Sequence, residues 1–195
     1  MGKIFCLMGK SSSGKDTIFK EIKDDKDLNL KPVISYTTRP KRVNETQGVE
    51  YFFIDKDQLD KFENEDKVIE KRVYNTVNGK WYYCTINDGQ IDLDKHNYLF
   101  ITTLESYKDI RDYYGEDKVY PFYIDIDDGI RLGRALERER RQANPNYDEL
   151  CRRFLADNID FSEENLAKLN INKCYINEDL NECIKNIKKD ILDLI

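Results

Sequence analysis

KIFCLMGKSSSGKDT, residues 3 to 17, decides the fold of this chain, because an apolar run leads through a glycine-rich loop into a segment with helical periodicity. Lys3 to Met8 predicts a buried strand, Gly9 to Gly14 a loop, and Lys15 to Lys26 a helix. This order is typical of a phosphate-binding loop, whose glycines let successive backbone N–H groups surround an anion at the start of a helix. The stretch therefore predicts an α/β protein that binds a phosphorylated ligand.

The last position of the motif departs from the pattern G-x-x-x-x-G-K-[ST], since a carboxylate follows the lysine. Lys15 supplies a positive charge for the β- and γ-phosphates, and Thr17 can offer a hydroxyl to a phosphate. Asp16 stands where a hydroxyl usually holds Mg²⁺, and a carboxylate oxygen also suits magnesium, directly or through water. An ordinary Gly/Ser turn that caps a helix is the alternative interpretation. The predicted ATP-binding residues of this segment are Gly9, Lys10, Ser11, Ser12, Ser13, Gly14, Lys15, Asp16 and Thr17.

The length and net charge of the chain limit the classes of function that we expect. A chain of 195 residues is long enough for one compact domain with a smaller inserted subdomain. The formal net charge of −6 argues against nucleic acid as a partner, which would need a continuous basic face. Seven of the eleven arginines nevertheless fall between residues 131 and 153. Arginine makes planar, bidentate contacts with phosphate oxygens, so the clustering predicts small phosphorylated ligands.

The chain shows no targeting or metal-binding pattern. No apolar stretch approaches the ~18 residues that a membrane helix needs, and no cleavage site follows the N-terminus, so the sequence predicts a cytoplasmic protein without a membrane partner. The five cysteines form no C-x-x-C pair, and we expect buried or incidental thiols. These cysteines are Cys6, Cys84, Cys151, Cys174 and Cys183.

Strands alternate with helices along most of the chain, which predicts a parallel sheet with right-handed crossovers. Strands are expected at residues 31–36, 97–102, 120–126 and 173–177, and helices at 104–114, from about 128, at 148–158 and at the C-terminus. The closing helix is amphipathic, and its apolar face is formed by Ile184, Ile187, Ile191 and Leu194.

Residues 37 to 86 interrupt this alternation and predict a mixed, mostly β insertion. Strands are expected at residues 50–54 and 68–74, on either side of a short helix that begins at Asp55. The dipeptide Asn78-Gly79 is a hairpin signal that leads into KWYYCT.

VISYTTRPKRVNETQGVEYFFI, residues 33 to 54, is the most informative part of the insertion. Arg39 and Arg42 lie three residues apart beside Pro40, and Tyr51 adds a hydroxyl, which together suit a fixed grip on a monophosphate. From Ser35 to Phe53 this stretch resembles the signature of the guanylate kinase family. The resemblance continues in order through the phosphate-binding loop, the insertion, an arginine-rich lid and a C-terminal strand.

The resemblance implies a pocket for GMP. Arg39, Arg42 and Tyr51 resemble holders of the GMP phosphate, and Ser35 and Glu70 resemble readers of the guanine edge. GKWYYCT resembles the family's G-N-Y-Y-G-S-T, with Tyr82 at the phosphate tyrosine, Tyr83 at a glycine and Cys84 at a serine, while Thr103 stands at an acidic position. The implied GMP-binding residues are Ser35, Arg39, Arg42, Glu45, Tyr51, Glu70, Tyr82, Cys84 and Thr103.

The segment 131 to 153 resembles the lid that closes over ATP. Arg134, Arg138 and Arg141 share one helical face, and a solvated basic helix is the alternative. By the resemblance, Asn177 lies beside the adenine, and the residues implied in catalysis are Lys15, Arg42, Arg138, Arg141 and Arg153.

The expected fold is a P-loop NTPase-type α/β fold with a five-stranded parallel sheet flanked by helices, an inserted monophosphate-binding subdomain and a helical lid. The predicted domains are the core (1–36, 87–126 and 159–195), the GMP-binding subdomain (37–86) and the lid (127–158). The resemblance implies ATP-dependent phosphorylation of GMP, and of dGMP as a further substrate, with Mg²⁺ as cofactor. A kinase of another phosphorylated acceptor, such as a deoxynucleotide or a ribose phosphate, and a non-catalytic binding module are the alternatives. The sequence leaves the oligomeric state open.

Overall fold

The computed structural model describes residues 1–76 and 79–195. Its centre is a five-stranded sheet in which every neighbouring pair of strands is parallel. In the spatial order of the sheet, the strands are β2 (Leu30–Pro32), β7 (Asn97–Ile101), β1 (Ile4–Met8), β8 (Val119–Asp125) and β9 (Cys174–Ile176). The predicted α/β fold with a five-stranded parallel sheet is confirmed.

A second sheet of four strands is mixed, and it lies in the part of the chain where the sequence predicts a β insertion. Its spatial order is β4 (Phe52–Phe53), β3 (Tyr36–Thr37), β6 (Gly79–Ile86) and β5 (Val68–Thr76). The single strand expected at residues 31–36 is wrong: β2 and β3 belong to different sheets. Val33 still donates its N–H to Leu99 of the parallel sheet, whereas Ser35 already accepts from Phe52 of the mixed sheet, so the chain crosses between the sheets at this point.

Seven helices occur in the described residues. They are α1 (Lys15–Lys23), α2 (Lys56–Asn64), α3 (Leu104–Tyr114), α4 (Asp128–Arg140), α5 (Tyr147–Asp160), α6 (Glu163–Lys168) and α7 (Leu180–Leu194). Helix α1 ends three residues earlier than expected, in a turn at Asp24 and Asp25, and α6 was not predicted. The helix expected to begin at Asp55 is present, and the Asp55 side chain accepts from the N–H of Gln58 in a capping box.

Both faces of the parallel sheet are covered, which explains why strand β1 is apolar at every position. Phe5 and Leu7 pack on one face with apolar side chains of α1 and α7. Ile4, Cys6 and Met8 pack on the other face with side chains of α3. The apolar face expected for the closing helix is confirmed by a set of side chains that lie in or against the first cluster, namely Ile184, Ile187, Ile191 and Leu194.

All five cysteines are free thiols, three of them buried and two exposed. Among residues 1–76 and 79–195, no helix is long and apolar enough to cross a membrane. Asn78 of the predicted hairpin turn lies outside the described residues, and the division into three domains stays a prediction.

Candidate active site

The phosphate-binding loop connects β1 to α1, and two of its glycines are required by geometry. Gly14 caps α1 with φ of 92°, and a Cβ there would lie 2.2 Å from Nδ2 of Asn177. At Gly9 a Cβ would lie 2.5 Å from the carbonyl oxygen of Ile124 in β8. Both side chains must be absent for the loop to pack against the sheet.

The loop contains buried polar groups that no other described residue satisfies. Ser12 has φ of 66°, in the left-handed region, and its Oγ and that of Ser13 are buried without a hydrogen-bond partner. Asn177 follows β9, donates from Nδ2 to the Ser13 carbonyl oxygen at 2.7 Å, and keeps its own Oδ1 unpaired. Because unpaired buried polar groups are rare in proteins, this arrangement fits a loop that binds a polar ligand.

The first turn of α1 carries the charged residues of the motif. Lys15 Nζ lies 3.3 Å from Oδ1 of Asp16, whose side chain is 75% exposed. Thr17 is also exposed. The Asp16 carboxylate is therefore accessible to a ligand, which would compete with Lys15 for it.

Helix α4 is tied to the loop by an ion pair and helix α5 by a hydrogen bond. Asp157 Oδ2 accepts from the Ser11 N–H at 2.7 Å and from Arg131 Nη1 at 3.3 Å. Arg131 is only 1% exposed, and its guanidinium lies 3.9 Å from the ring centroid of Phe154. Lys10 Nζ reaches Asp128 of α4 at 3.4 Å. Sequence reasoning missed the roles of Arg131 and Asp157, because the basic periodicity of α4 does not reveal that one of its arginines is buried.

The predicted lid arginines occupy different surroundings. Arg134 is the one beside the loop, since its Nη1 is 3.9 Å from the position that a Cβ on Gly14 would take. Arg138 is exposed, and Arg141 lies 3.9 Å from Glu137 on the exposed side of α4. On α5, Glu149 accepts from Arg153 and Arg152, both at 2.7 Å.

Glu45 accepts hydrogen bonds from the side chain of Arg39 and from the backbone of Arg42. Arg39 is 4% exposed, and its Nη2 and Nη1 donate to the two oxygens of Glu45 at 2.7 and 2.9 Å. Glu45 also accepts from the Arg42 N–H at 2.8 Å. The Arg39 hydrogen bond lowers the pKa of Glu45, so the carboxylate is charged and holds Arg39 in place. The Arg42 side chain remains exposed.

Two tyrosines complete this cluster, which we call the acceptor grip: Arg39, Arg42, Glu45, Tyr51 and Tyr83. Arg39 Nε donates to the Tyr83 hydroxyl at 3.1 Å. The rings of Tyr51 and Tyr83 meet edge to face with centroids 5.5 Å apart, and the Arg39 guanidinium lies 5.6 Å from the Tyr51 centroid. One cation is therefore surrounded by a carboxylate, a hydroxyl and an aromatic ring.

Strand β6 presents different residues to this cluster from those expected. Tyr82 and Cys84 lie on the opposite face, where Cys84 is buried with Tyr36 and Leu59, and Tyr82 packs against the same cluster. Burial raises the pKa of the Cys84 thiol to about 12. The neighbouring residues Tyr83 and Thr85 face the grip and Glu70 instead, because side chains alternate along a strand.

Tyr83 and Thr85 therefore occupy the places near Arg39 and Glu70 that were expected for Tyr82 and Cys84. In the β5–β6 pairing Glu70 lies opposite Thr85, and the register shifts between Val68 and Glu70. The sequence YYCT can also be aligned so that Tyr83 takes the tyrosine position and Thr85 the hydroxyl position. Only the strand pairing distinguishes this alignment from the other.

Glu70 is a buried carboxylate of strand β5. Its side chain is 0% exposed, and Oε1 accepts from Oγ1 of Thr85 at 2.8 Å. Arg72 donates to the same carboxylate and also lies 3.5 Å from Oγ1 of Thr103. Thr103 caps α3 by accepting from the Ser106 N–H. Ser35, the other predicted reader of the base, is 8% exposed. Sequence reasoning missed Arg72, since nothing in VIEKRVY distinguishes it from a solvent-facing strand residue.

The chain is similar to known guanylate kinases. A family model described as guanylate kinase matches residues 1–88. A guanylate kinase of Mycoplasma mobile is 31% identical over 195 residues, covering 96% of this chain and 92% of that protein. A guanylate kinase of Porphyromonas gingivalis is 25% identical over 198 residues, covering 100% and 99% of the two chains.

Two further matches show how the similarity is distributed. A guanylate kinase of Mycoplasma genitalium is 40% identical over 85 residues, which cover 44% of this chain and 34% of that protein. The crystal structure of guanylate kinase from Anaplasma phagocytophilum superimposes with a TM-score of 0.65 at 20% identity, covering 98% of this chain and 85% of that one. Sequence identity is therefore higher over a short segment than along the whole chain, and the fold is shared throughout.

Proposed function

The chain belongs to the guanylate kinase family, and we propose that it transfers the γ-phosphoryl group of ATP to GMP, giving ADP and GDP. The observation that carries the proposal is the presence of two separate candidate sites, one on each sheet. The loop before α1 has the geometry of an ATP-phosphate site, and the mixed sheet combines the acceptor grip with the buried Glu70 carboxylate.

On the donor side, binding relies on the backbone and on Lys15. The N–H groups at the start of α1 and the partial positive charge of the helix N-terminus favour the phosphates, and Lys15 adds a full charge. The unpaired oxygens of Ser12, Ser13 and Asn177 support a ligand at this loop.

On the acceptor side, the grip holds the monophosphate and Glu70 reads the base. Arg39, positioned by Glu45, and exposed Arg42 offer guanidinium donors to phosphate oxygens, with the tyrosine role moved from Tyr82 to Tyr83. A carboxylate accepts the two adjacent N–H donors of guanine, and Thr85 takes the hydroxyl position proposed first for Cys84. Adenine does not present two such donors in this arrangement, so it would not form these hydrogen bonds with Glu70.

Transfer needs positioning and charge neutralisation rather than a general base, because a GMP phosphate oxygen is already a nucleophile. We assign Lys15 and Arg42 to the two sides of the transferring group and Arg134 to the lid contact. Arg138, Arg141 and Arg153 remain candidates that would approach when the lid closes. Closure would exclude water and so limit hydrolysis of ATP.

Magnesium fits the donor set of the loop. Among the described residues no group of three or more His, Cys, Asp or Glu could hold a metal ion, but Mg²⁺ bound mainly by phosphate oxygens and water needs only one or two protein oxygens. Exposed Asp16 is the carboxylate that would supply one, directly or through water. The ion would supply charge neutralisation of the β- and γ-phosphates.

The proposal is tested by coupled turnover assays with ATP and a panel of acceptors: GMP, dGMP, AMP, UMP and ribose bisphosphate. GMP is expected to be the best acceptor, and Lys15→Ala should lower its turnover about 10²–10³-fold. Lys20→Ala, on the exposed side of the same helix, is the matched control and should keep full turnover.

The alternatives predict different results. Brisk turnover of another acceptor without turnover of GMP would indicate a kinase of that acceptor. Binding of GMP without turnover of any acceptor would indicate a non-catalytic module, although a loop with Gly9, Gly14 and Lys15 in place favours an enzyme.

A further inference from the structure

Arg72 makes a two-point contact with Glu70, the carboxylate that we assign to the guanine edge. Its Nε and Nη2 donate to Oε2 and Oε1 of Glu70 at 2.9 and 3.3 Å. The two side chains are 12% and 0% exposed, so the pair is shielded from water. Two donors on one rigid group thus face the two oxygens of one carboxylate.

The Glu70 carboxylate has too few lone-pair sites to accept from Arg72 and from guanine at the same time. A carboxylate offers about four lone-pair sites. Arg72 uses two of them and Thr85 uses a third at 2.8 Å, which leaves about one. Guanine presents two adjacent donors, N1–H and N2–H, that need one site on each oxygen. The base and the Arg72 guanidinium cannot therefore both be fully bonded to Glu70.

We propose that Arg72 occupies the guanine-binding carboxylate in the free protein and that GMP must displace it, so that Arg72 sets the affinity of the base pocket. This inference rests on the proposed function, because it assigns Glu70 to the acceptor base. The guanidinium fork and the guanine edge are chemically equivalent donors to Glu70, and each excludes the other.

A second hydrogen-bond partner lies beside the Arg72 guanidinium. Its Nη1 already lies 3.5 Å from Oγ1 of Thr103. This hydroxyl is a second hydrogen-bond partner that Arg72 can keep after it leaves Glu70. The apparent affinity for guanine equals the intrinsic affinity multiplied by the fraction of protein in which the pair is open.

The test is equilibrium binding by calorimetry of guanosine and GMP to the nucleotide-free protein, with Arg72→Met and Arg72→Gln. Guanosine has no phosphate, so it reports on the base pocket alone. The dissociation constants of both ligands should fall about tenfold in Arg72→Met and less in Arg72→Gln, which keeps one donor group. Thermal unfolding of each variant is the check that it is folded.

Lys71→Met is the matched control, since Lys71 is the next residue of β5 and pairs with Glu63 on the other face. It should bind guanosine and GMP as the wild type does, and ATP binding should be the same in all four proteins. Unchanged or weaker binding of guanosine in either folded Arg72 variant would overturn the inference. Failure of the proposed function would instead be visible in the wild type itself, as absence of GMP binding and turnover.

Discussion

The donor loop and the acceptor grip, the two proposed phosphate sites, are built by different means. The donor loop is built from backbone, with glycines that pack against Asn177 and β8, and its donors exist before any ligand arrives. The acceptor side is built from long charged side chains that already pair with one another, as Arg39 does with Glu45 and Arg72 with Glu70. The first site is preorganised, and so is Arg39 through Glu45, whereas the base pocket is proposed to exchange Arg72 for its substrate, which lowers affinity in return for selectivity.

The largest effect is expected where the backbone itself is changed. In Gly14→Ala the new Cβ would meet Asn177 Nδ2 at 2.2 Å in a left-handed conformation, which costs an L-residue about 1–2 kcal/mol before the clash is counted. We expect lower thermal stability and an increase of about 10²-fold or more in the KM for ATP, both measurable on purified protein.

Gly133→Ala is the control for that variant. Gly133 lies within α4, and a Cβ there would meet nothing within 4 Å, so alanine should stabilise the fold by about 0.5–1 kcal/mol. Equal KM values for ATP in the two variants would refute the claim that backbone geometry preorganises the donor loop.

A smaller effect is expected on the acceptor side. Of the neighbouring residues Tyr82 and Tyr83, it is Tyr83 whose hydroxyl contacts Arg39. Tyr83→Phe removes the acceptor of the 3.1 Å hydrogen bond from Arg39 Nε and should raise the KM for GMP about tenfold, with the KM for ATP unchanged. Tyr82→Phe keeps the ring that packs beneath Lys56 and should leave both constants within about twofold. A reversed result would restore Tyr82 as the phosphate tyrosine.

The smallest effect concerns the metal. Asp16→Ser should raise the Mg²⁺ concentration for half-maximal turnover about fivefold, because a hydroxyl is a weaker ligand than a carboxylate for this ion. Asp24→Ser is a close control, since Asp24 pairs with Lys23 at 3.3 Å just as Asp16 pairs with Lys15. Identical magnesium titrations for Asp16→Ser and the wild type would remove Asp16 from the proposed metal site.

The donor loop could be predicted from the sequence because its determinants are local. Gly9, Gly14 and Lys15 specify a turn and a helix start through spacing and backbone freedom alone. The amphipathic closing helix was predictable for the same reason, since helical periodicity reveals the buried face.

The acceptor side was predictable in residue type but not in detail. Arg39, Glu45 and Tyr51 were expected near GMP, yet their mutual contacts depend on how β3, β4 and β6 pair. The face of β6 that meets Glu70 depends on the strand register, and a shift of one residue exchanges Tyr82 for Tyr83.

The sequence by itself determined that this protein has a phosphate-binding loop, a parallel α/β core and an arginine-rich segment, because spacing, periodicity and composition are properties of neighbouring residues. Tertiary structure alone decided that Thr85 and not Cys84 bonds to Glu70, that Arg131 is buried beside Asp157, and that Arg72 holds the carboxylate proposed for guanine. Those outcomes depend on strand register and on which charged groups are buried together. Both are determined by contacts between residues that are distant in the chain.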